Sequence, residues 1–531
     1  MSSYASSVIS AEAPAFTVNA RTEHYHTTMS SRIRSFGQKT RPQIKISLNG
    51  CEDSWVATYS TMDKIEGKVT ITCPVATSVD SLSIDFIGTT RTFLERMSTS
   101  SAVSGRSEAH HQFLKLTQPI PASAWPENKM FEAGKTYEFN FIFVVPEMLL
   151  PRVCRHGITS SHVQQEHIRL PPSFGDRAVA GRGKQLLDDL APEMARIRYC
   201  VNVTLREIAK FDCMVEQHTI QSKKVRILPR VEEYPPIDTD GVESDYVLRQ
   251  EKDVRKGLFK SKLGRLVMEA TQPQSLRIRS PQSDEQAPES TVVKVALRFD
   301  PAEGKGAPPN LGNLTTRLKV ATFFSSAARG KLPEKKDTQW DMNQGLHCES
   351  ITLASRCLGH VDWTWNSEEE FSRRSSTVSS MSDIFSTPDA SSKYKGEGFW
   401  TAQIVMPVSL PANKAWIPTF HTCLVSRTYS LGVHLAVPTG TIGHGIDLKL
   451  PVQLSSQGRF EGTMRPHSLS LDEQAVEAME ADEFFAPRTI SPMHASFTGR
   501  SSIGQRTDSA ADLPPEYDAF PRTSNRRAIV A

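Results

Sequence analysis

The sequence predicts an all-β protein, built as two consecutive β-sandwich domains with disordered termini. Three features of the chain predict it. Apolar residues recur at every second position in segment after segment, which is the period of a half-buried strand and not of a helix. The alternation pauses from about Pro229 to Leu263 and then restarts, so the strands fall into two series, each long enough for one sandwich. The two ends are rich in Ser, Ala and Thr and carry few large apolar side chains, too few to offset the entropy lost on ordering them.

Residues 1–40 are accordingly read as a disordered N-terminal segment, and 41–230 as the first sandwich. Its strands are marked by Ile44, Ile46 and Leu48; by Val69, Ile71 and Cys73; by Leu82, Ile84 and Phe86; and by Tyr137, Phe139, Phe141, Phe143 and Val145 on one parity. The cleanest case sets Ile197, Tyr199, Val201, Val203 and Leu205 against Arg198, Cys200, Asn202, Thr204 and Arg206, giving one apolar face and one mainly polar face. Residues 231–262 read as an interdomain connection, opening with Glu232, Glu233, Tyr234, Pro235 and Pro236. The second sandwich, 263–455, shows Val293, Val295, Leu297 and Phe299; Trp400, Ala402, Ile404 and Met406; Tyr429, Leu431, Val433 and Leu435; and Ile446, Leu448, Leu450, Val452 and Leu454. Within it, 367–398 is dense in serine and charge and reads as an inserted loop. The last segment, 456–531, returns to the composition of the first and is expected to be disordered.

Composition narrows the function classes. A chain of 531 residues with 62 basic and 59 acidic side chains has a net charge of only +3, so no charge-driven nucleic-acid surface is expected. Eight dispersed cysteines form no CxxC pair, and the opening MSSYASSVIS lacks a basic and an apolar signal region, which together predict a reducing, cytoplasmic setting. No run approaches the roughly 18 apolar residues of a membrane span, so any membrane contact is expected to be peripheral.

The search for reactive constellations is negative. No G-x-S-x-G elbow is present. Gly134, Lys135 and Thr136 look like the end of a phosphate-binding loop, but Lys129 stands where its first glycine belongs and a strand follows where a helix is needed. His162 and His167 are five apart, the wrong spacing for H-E-x-x-H, and Cys348 and Cys357 have no partner pair at zinc-site spacing. The expectation is a non-enzyme with no catalytic residues, no cofactor and no metal site.

Three short features point instead to partners. Leu513, Pro514, Pro515, Glu516 and Tyr517 form Pro-Pro-x-Tyr, whose prolines pre-set a polyproline II helix that fits the aromatic groove of a WW domain while Tyr517 fills a neighbouring pocket. Chance would place roughly 0.04 such strings in a chain of this composition. The basic stretch from Glu251 to Arg265 holds Lys252, Lys256, Lys260 and Lys262, and three roles stay open for it: contact with anionic lipid or an acidic transporter tail, ubiquitin acceptance, or a solvated connection. Arg373, Arg374, Ser375 and Ser376 resemble a basophilic kinase substrate, with Ser375 and Ser376 as candidate phosphorylation sites; a solvated loop is the alternative.

The order of several strings resembles the arrestins, and in particular fungal α-arrestins, over about residues 42–455. Ile44 to Leu48 followed by Ile65, Glu66, Gly67, Lys68 and Val69 resembles their opening strands, and Leu82, Ile84, Phe86, Gly88 and Arg91 the strand after them. Tyr137, Phe139, Phe141, Val145 and Pro146, then His167, Leu170, Pro171, Pro172 and Ser173, then Ile197 to Leu205, continue the likeness. Gly264, Arg265 and Leu266 with Gln272, Pro273 and Leu276 look like the entry to the second arrestin domain, and Ile446, Leu448, Leu450, Pro451 and Val452 like its last strand. The resemblance implies a non-catalytic adaptor. Through Pro514, Pro515 and Tyr517 it would bring a HECT-type ubiquitin ligase with WW domains to the cytoplasmic tails of membrane transporters or receptors, peripherally at plasma membrane and endosomes, and promote their endocytosis. An arrestin-fold scaffold or sorting-coat protein acting without a ligase is the alternative. Family members often carry several such motifs; here Pro235, Pro236, Ile237 and Asp238 lack the tyrosine, so a single motif implies weaker recruitment helped by co-localisation.

Overall fold

Alternation becomes burial in strand Lys64–Thr72, where Ile65, Val69 and Ile71 are buried while Lys64, Glu66, Lys68 and Thr70 keep access to solvent. A computed structural model describes residues 17–18, 41–50, 56–96, 105–207, 217–237, 245–255, 262–279, 290–367, 387–392, 394–438 and 445–457. The chain divides into two units, Met1–Glu461 and Gly462–Ala531, and every described residue belongs to the first.

Lys64–Thr72 lies between Gln43–Leu48 and Thr136–Val144 in a three-stranded antiparallel sheet. A side chain at Gly67 would run into the Ser47 carbonyl and the Phe141 ring, so the close approach of these strands needs glycine there. The facing sheet runs Thr17–Val18, Gly105–Thr117, Thr77–Arg96, Ala195–Glu207, Gln217–Ile227 and Thr58–Tyr59, with Met130–Phe131 also paired to Thr77–Arg96. Tyr199 stands opposite Gly88, and Val201 opposite Phe86. The two sheets meet through rings: Phe86 lies 5.9 Å from Phe143 on the three-stranded sheet and 5.9 Å from Tyr199 on its own. Of the aromatic parity Tyr137, Phe139, Phe141 and Phe143, the three phenylalanines are core and Tyr137 packs half-buried against it.

The second sandwich pairs two five-stranded sheets. One has the order Arg249–Arg255, Lys262–Ala270, Ser290–Pro301, Gly398–Ser409, Thr364–Ser367. The other runs Gln344–Cys357, Asn313–Ser325, Val425–Ala436, Phe420–His421, with Gly445–Val452 also paired to Val425–Ala436. Val293, Val295, Leu297 and Phe299 from the first sheet, and Leu431, Val433, Leu448 and Leu450 from the second, are buried between them.

Two segments differ from their sequence reading. Part of the stretch read as a connection, Arg249–Arg255, is an edge strand antiparallel to Lys262–Ala270. Only Val254 in it is buried; cross-strand pairs such as Arg265 to Glu251 (3.3 Å) and to Asp253 (3.1 Å) supply what alternation does not. Thr17–Val18, inside the segment expected to be disordered, pairs with Ala109 and His110. The end of the inserted loop is pinned as well. Arg298 and Asp300 form a buried ion pair at 2.8 Å, Asp300 accepts the Ser391 backbone N–H at 2.8 Å, and Arg298 stacks 3.6 Å from the Phe399 ring centre. No described helix is long and apolar enough to cross a membrane.

Candidate functional site at the seam between the sandwiches

Behind strand Thr136–Val144 the chain makes a 3₁₀ turn, Pro151–Val153, whose end is closed by the Cys154 N–H donating to the Pro151 carbonyl at 3.1 Å. Ser160 then caps the helix Ser161–Ile168, its hydroxyl accepting from the Val163 N–H at 3.4 Å. Leu149 N–H donates to the Ile168 carbonyl at 2.6 Å, folding the helix back along the turn, so that His167 returns beside Cys154. Just beyond, Leu170 to Ser173 are buried, and Tyr199 donates its hydroxyl proton to the Pro171 carbonyl, locking this loop onto the sandwich core.

From the second sandwich comes the turn between Phe420–His421 and Val425–Ala436. Thr422 closes it, its N–H and hydroxyl both donating to the Val425 carbonyl at 2.8 Å, and this presents Cys423 to the first sandwich. The result is a cluster of Cys154, His156, His167 and Cys423 whose Sγ and ring nitrogen atoms all lie within 4.8 Å of one another. Cys154 Sγ is 3.0 Å from His156 Nε2, 3.4 Å from His167 Nδ1 and 3.6 Å from Cys423 Sγ. Cys423 Sγ is 3.7 Å from His167 Nδ1. Cys154, His167 and Cys423 are 5%, 3% and 2% exposed, and His156 is half-buried. The hydrogen bond from Cys423, helped by His156 and His167, holds the Cys154 thiol well below the ordinary thiol range, and the same sharing pushes Cys423 up.

Local spacing did not reveal this grouping, which brings together four possible ligands where the sequence reading named none. Cys154, Arg155 and His156 form a C-x-H string that hints at it, with His167 eleven residues on. The fourth member is 269 residues from Cys154 and on the other sandwich. His162 is not in the cluster, and Cys348 and Cys357 are exposed thiols on strand Gln344–Cys357.

Around the cluster the sandwiches interlock. Arg427, fully buried, donates from Nη2 to the carbonyls of Asp189 (3.1 Å) and Leu190 (2.9 Å) and lies 4.9 Å from the Phe174 ring centre. Phe174 meets Phe420 edge-on at 5.9 Å, Lys414 pairs with Asp188 at 2.8 Å, and Thr92 donates to the Ser325 carbonyl at 2.6 Å. On the first sandwich, Arg91, Phe93, Arg106, Glu193 and Arg196 line a cleft of about 290 Å³ with three guanidinium groups.

Of the residues singled out in the sequence, Lys252 donates to the Gly445 carbonyl at 2.6 Å and Lys262 pairs with Asp253 at 2.9 Å. Lys256, Lys260, Ser375, Ser376, Pro514, Pro515 and Tyr517 lie outside the described residues.

The described residues build two interlocked β-sandwiches with an arginine-lined cleft on the first. Residues 51–227 match the family model of the arrestin (or S-antigen) N-terminal domain, so this part of the chain is arrestin-like. The match ends on the last residue of strand Gln217–Ile227, the final long strand of the first sandwich. No curated protein matches the chain. That domain supports an arrestin-like adaptor or scaffold role.

Proposed function

We propose that this chain is a trafficking adaptor of the α-arrestin kind, which brings a HECT-type ubiquitin ligase to membrane transporters or receptors and so promotes their ubiquitination and endocytosis. The observation that carries the reading is a Pro-Pro-x-Tyr string, Pro514, Pro515 and Tyr517, C-terminal to two arrestin-like sandwiches. The arginine-lined cleft at Arg91, Arg106 and Arg196 supports it, since a cytoplasmic tail with acidic groups meets complementary charge there. The working place of such an adaptor is the cytoplasmic face of plasma membrane and endosomes, reached peripherally, and the bond-making chemistry belongs to the ligase.

Tyr517→Ala tests the reading. Removing the ring that fills the WW pocket is expected to weaken ligase co-precipitation roughly ten- to thirtyfold and to slow cargo turnover in cells. Unchanged co-precipitation and turnover would sink the ligase reading and leave the scaffold or sorting-coat one standing. For the basic stretch, charge reversal at Lys256, Lys260 and Lys262 is expected to reduce sedimentation with anionic liposomes; an identical sedimentation curve removes lipid contact from its roles.

A further inference from the structure

We propose that Cys154, His156, His167 and Cys423 are the four ligands of a structural zinc site that staples the two sandwiches together. The donor set is the first argument. Two thiolates and two imidazoles match the tetrahedral Cys₂His₂ coordination of zinc, whereas magnesium and calcium prefer oxygen ligands. Geometry is the second. Zinc–sulfur bonds of about 2.3 Å and zinc–nitrogen bonds of about 2.0–2.1 Å at tetrahedral angles give ligand–ligand edges of roughly 3.3–3.8 Å. Four of the six separations at this cluster are 3.0, 3.4, 3.6 and 3.7 Å and all six lie within 4.8 Å, so zinc fits among the four atoms with a modest inward adjustment.

The surroundings fit a bound cation. His156 Nδ1 lies 3.1 Å from the Gly157 carbonyl, which can only accept; the proton therefore sits on Nδ1 and the Nε2 lone pair faces the site. Arg329 is buried behind the Cys423 turn, its backbone N–H donating to the Cys423 carbonyl at 2.9 Å and its Nη2 to Ser426 Oγ at 2.8 Å, while its Nε and Nη1 have no hydrogen-bond partner among the described residues. A disulfide between Cys154 and Cys423 is the competing chemistry, but it leaves unexplained why an imidazole nitrogen stands 3.4 and 3.7 Å from both sulfurs.

Four protein ligands, three of them buried, leave no open coordination position, so the site is structural and not hydrolytic. Three ligands come from one sandwich and the fourth from the other, hence zinc occupancy is coupled to the seam itself.

The test uses the full-length protein purified under reducing conditions without chelator. Elemental analysis is expected to give about one zinc per chain, falling to near zero in Cys423→Ser and in His167→Gln, with Cys348→Ser unchanged. Because a ligand variant can simply misfold, the wild type is also stripped with a strong chelator and titrated with Co²⁺. The expected spectrum has the intense visible bands and near-ultraviolet thiolate charge transfer of tetrahedral sulfur–nitrogen coordination, and zinc restores the Tm lost on stripping. A reduced, folded wild type that holds no zinc and gives no such cobalt spectrum overturns the site. So does a purified protein in which Cys154 and Cys423 are recovered as a disulfide and the reduced form takes up neither metal. Tyr517→Ala leaves zinc content unchanged, so the ligase reading and the zinc site stand or fall separately.

Discussion

His111 is buried within strand Gly105–Thr117, and burial above all pulls its pKa from the ordinary 6.5 down to about 4. The unfolded chain takes up this proton near pH 6.5 and the folded chain only near 4, so stability is full above about 6.5 and is lost as pH falls through the interval. Crossing the whole window costs roughly 3 kcal/mol. Tm measured from pH 7.5 to 4.5 is expected to fall more steeply for the wild type than for His111→Gln, and parallel curves would show that this imidazole does not contribute. A second residue-scale case is Leu190, which holds a left-handed φ of 58° with no help from glycine. Asp188 accepts its N–H at 3.0 Å and Arg427 bonds its carbonyl at 2.9 Å, so neighbours dictate a conformation that its own side chain disfavours.

At the scale of elements, the legible strands were those with one apolar face. Lys64–Thr72, Thr136–Val144, Ala195–Glu207 and Gly445–Val452 announce themselves because apolar side chains at alternate positions of each are buried. Arg249–Arg255 did not, since an edge strand takes its stability from backbone pairing and cross-strand ions, which leave no period-two signal. Strand Ser290–Pro301 carries the buried Arg298–Asp300 pair. Asp300→Ala removes the carboxylate that neutralises the buried Arg298 guanidinium and is expected to cost about 3–5 kcal/mol by denaturant titration, while Arg298→Met with Asp300→Leu recovers most of it. If the double variant is no more stable than the single one, the pair is not the anchor that its geometry makes it.

For the molecule as a whole, the seam decides whether the sandwiches behave as one body. Arg427 reaches from strand Val425–Ala436 to the carbonyls of Asp189 and Leu190, and Arg427→Met removes both bonds at once. The variant is expected to lose on the order of 2–4 kcal/mol of stability and to melt in two transitions where the wild type shows one; a single sharp transition at the wild-type Tm would mean that other seam contacts suffice. The candidate site lies on the same seam, and for that reason little of it was legible. Cys154 and His156 are near neighbours in the chain, but nothing local to Cys423 says that it will meet them.

What the sequence determined by itself was the class: all-β, two sandwiches, and a Pro-Pro-x-Tyr string beyond them, because hydrophobic period and proline chemistry are local properties written residue by residue. Which side chains converge was set by the packing of the chain in three dimensions. The meeting of Cys154, His156 and His167 with Cys423 depends on a helix folding back along a turn and on two sandwiches docking, and a contact across 269 residues carries no local period for a sequence to display.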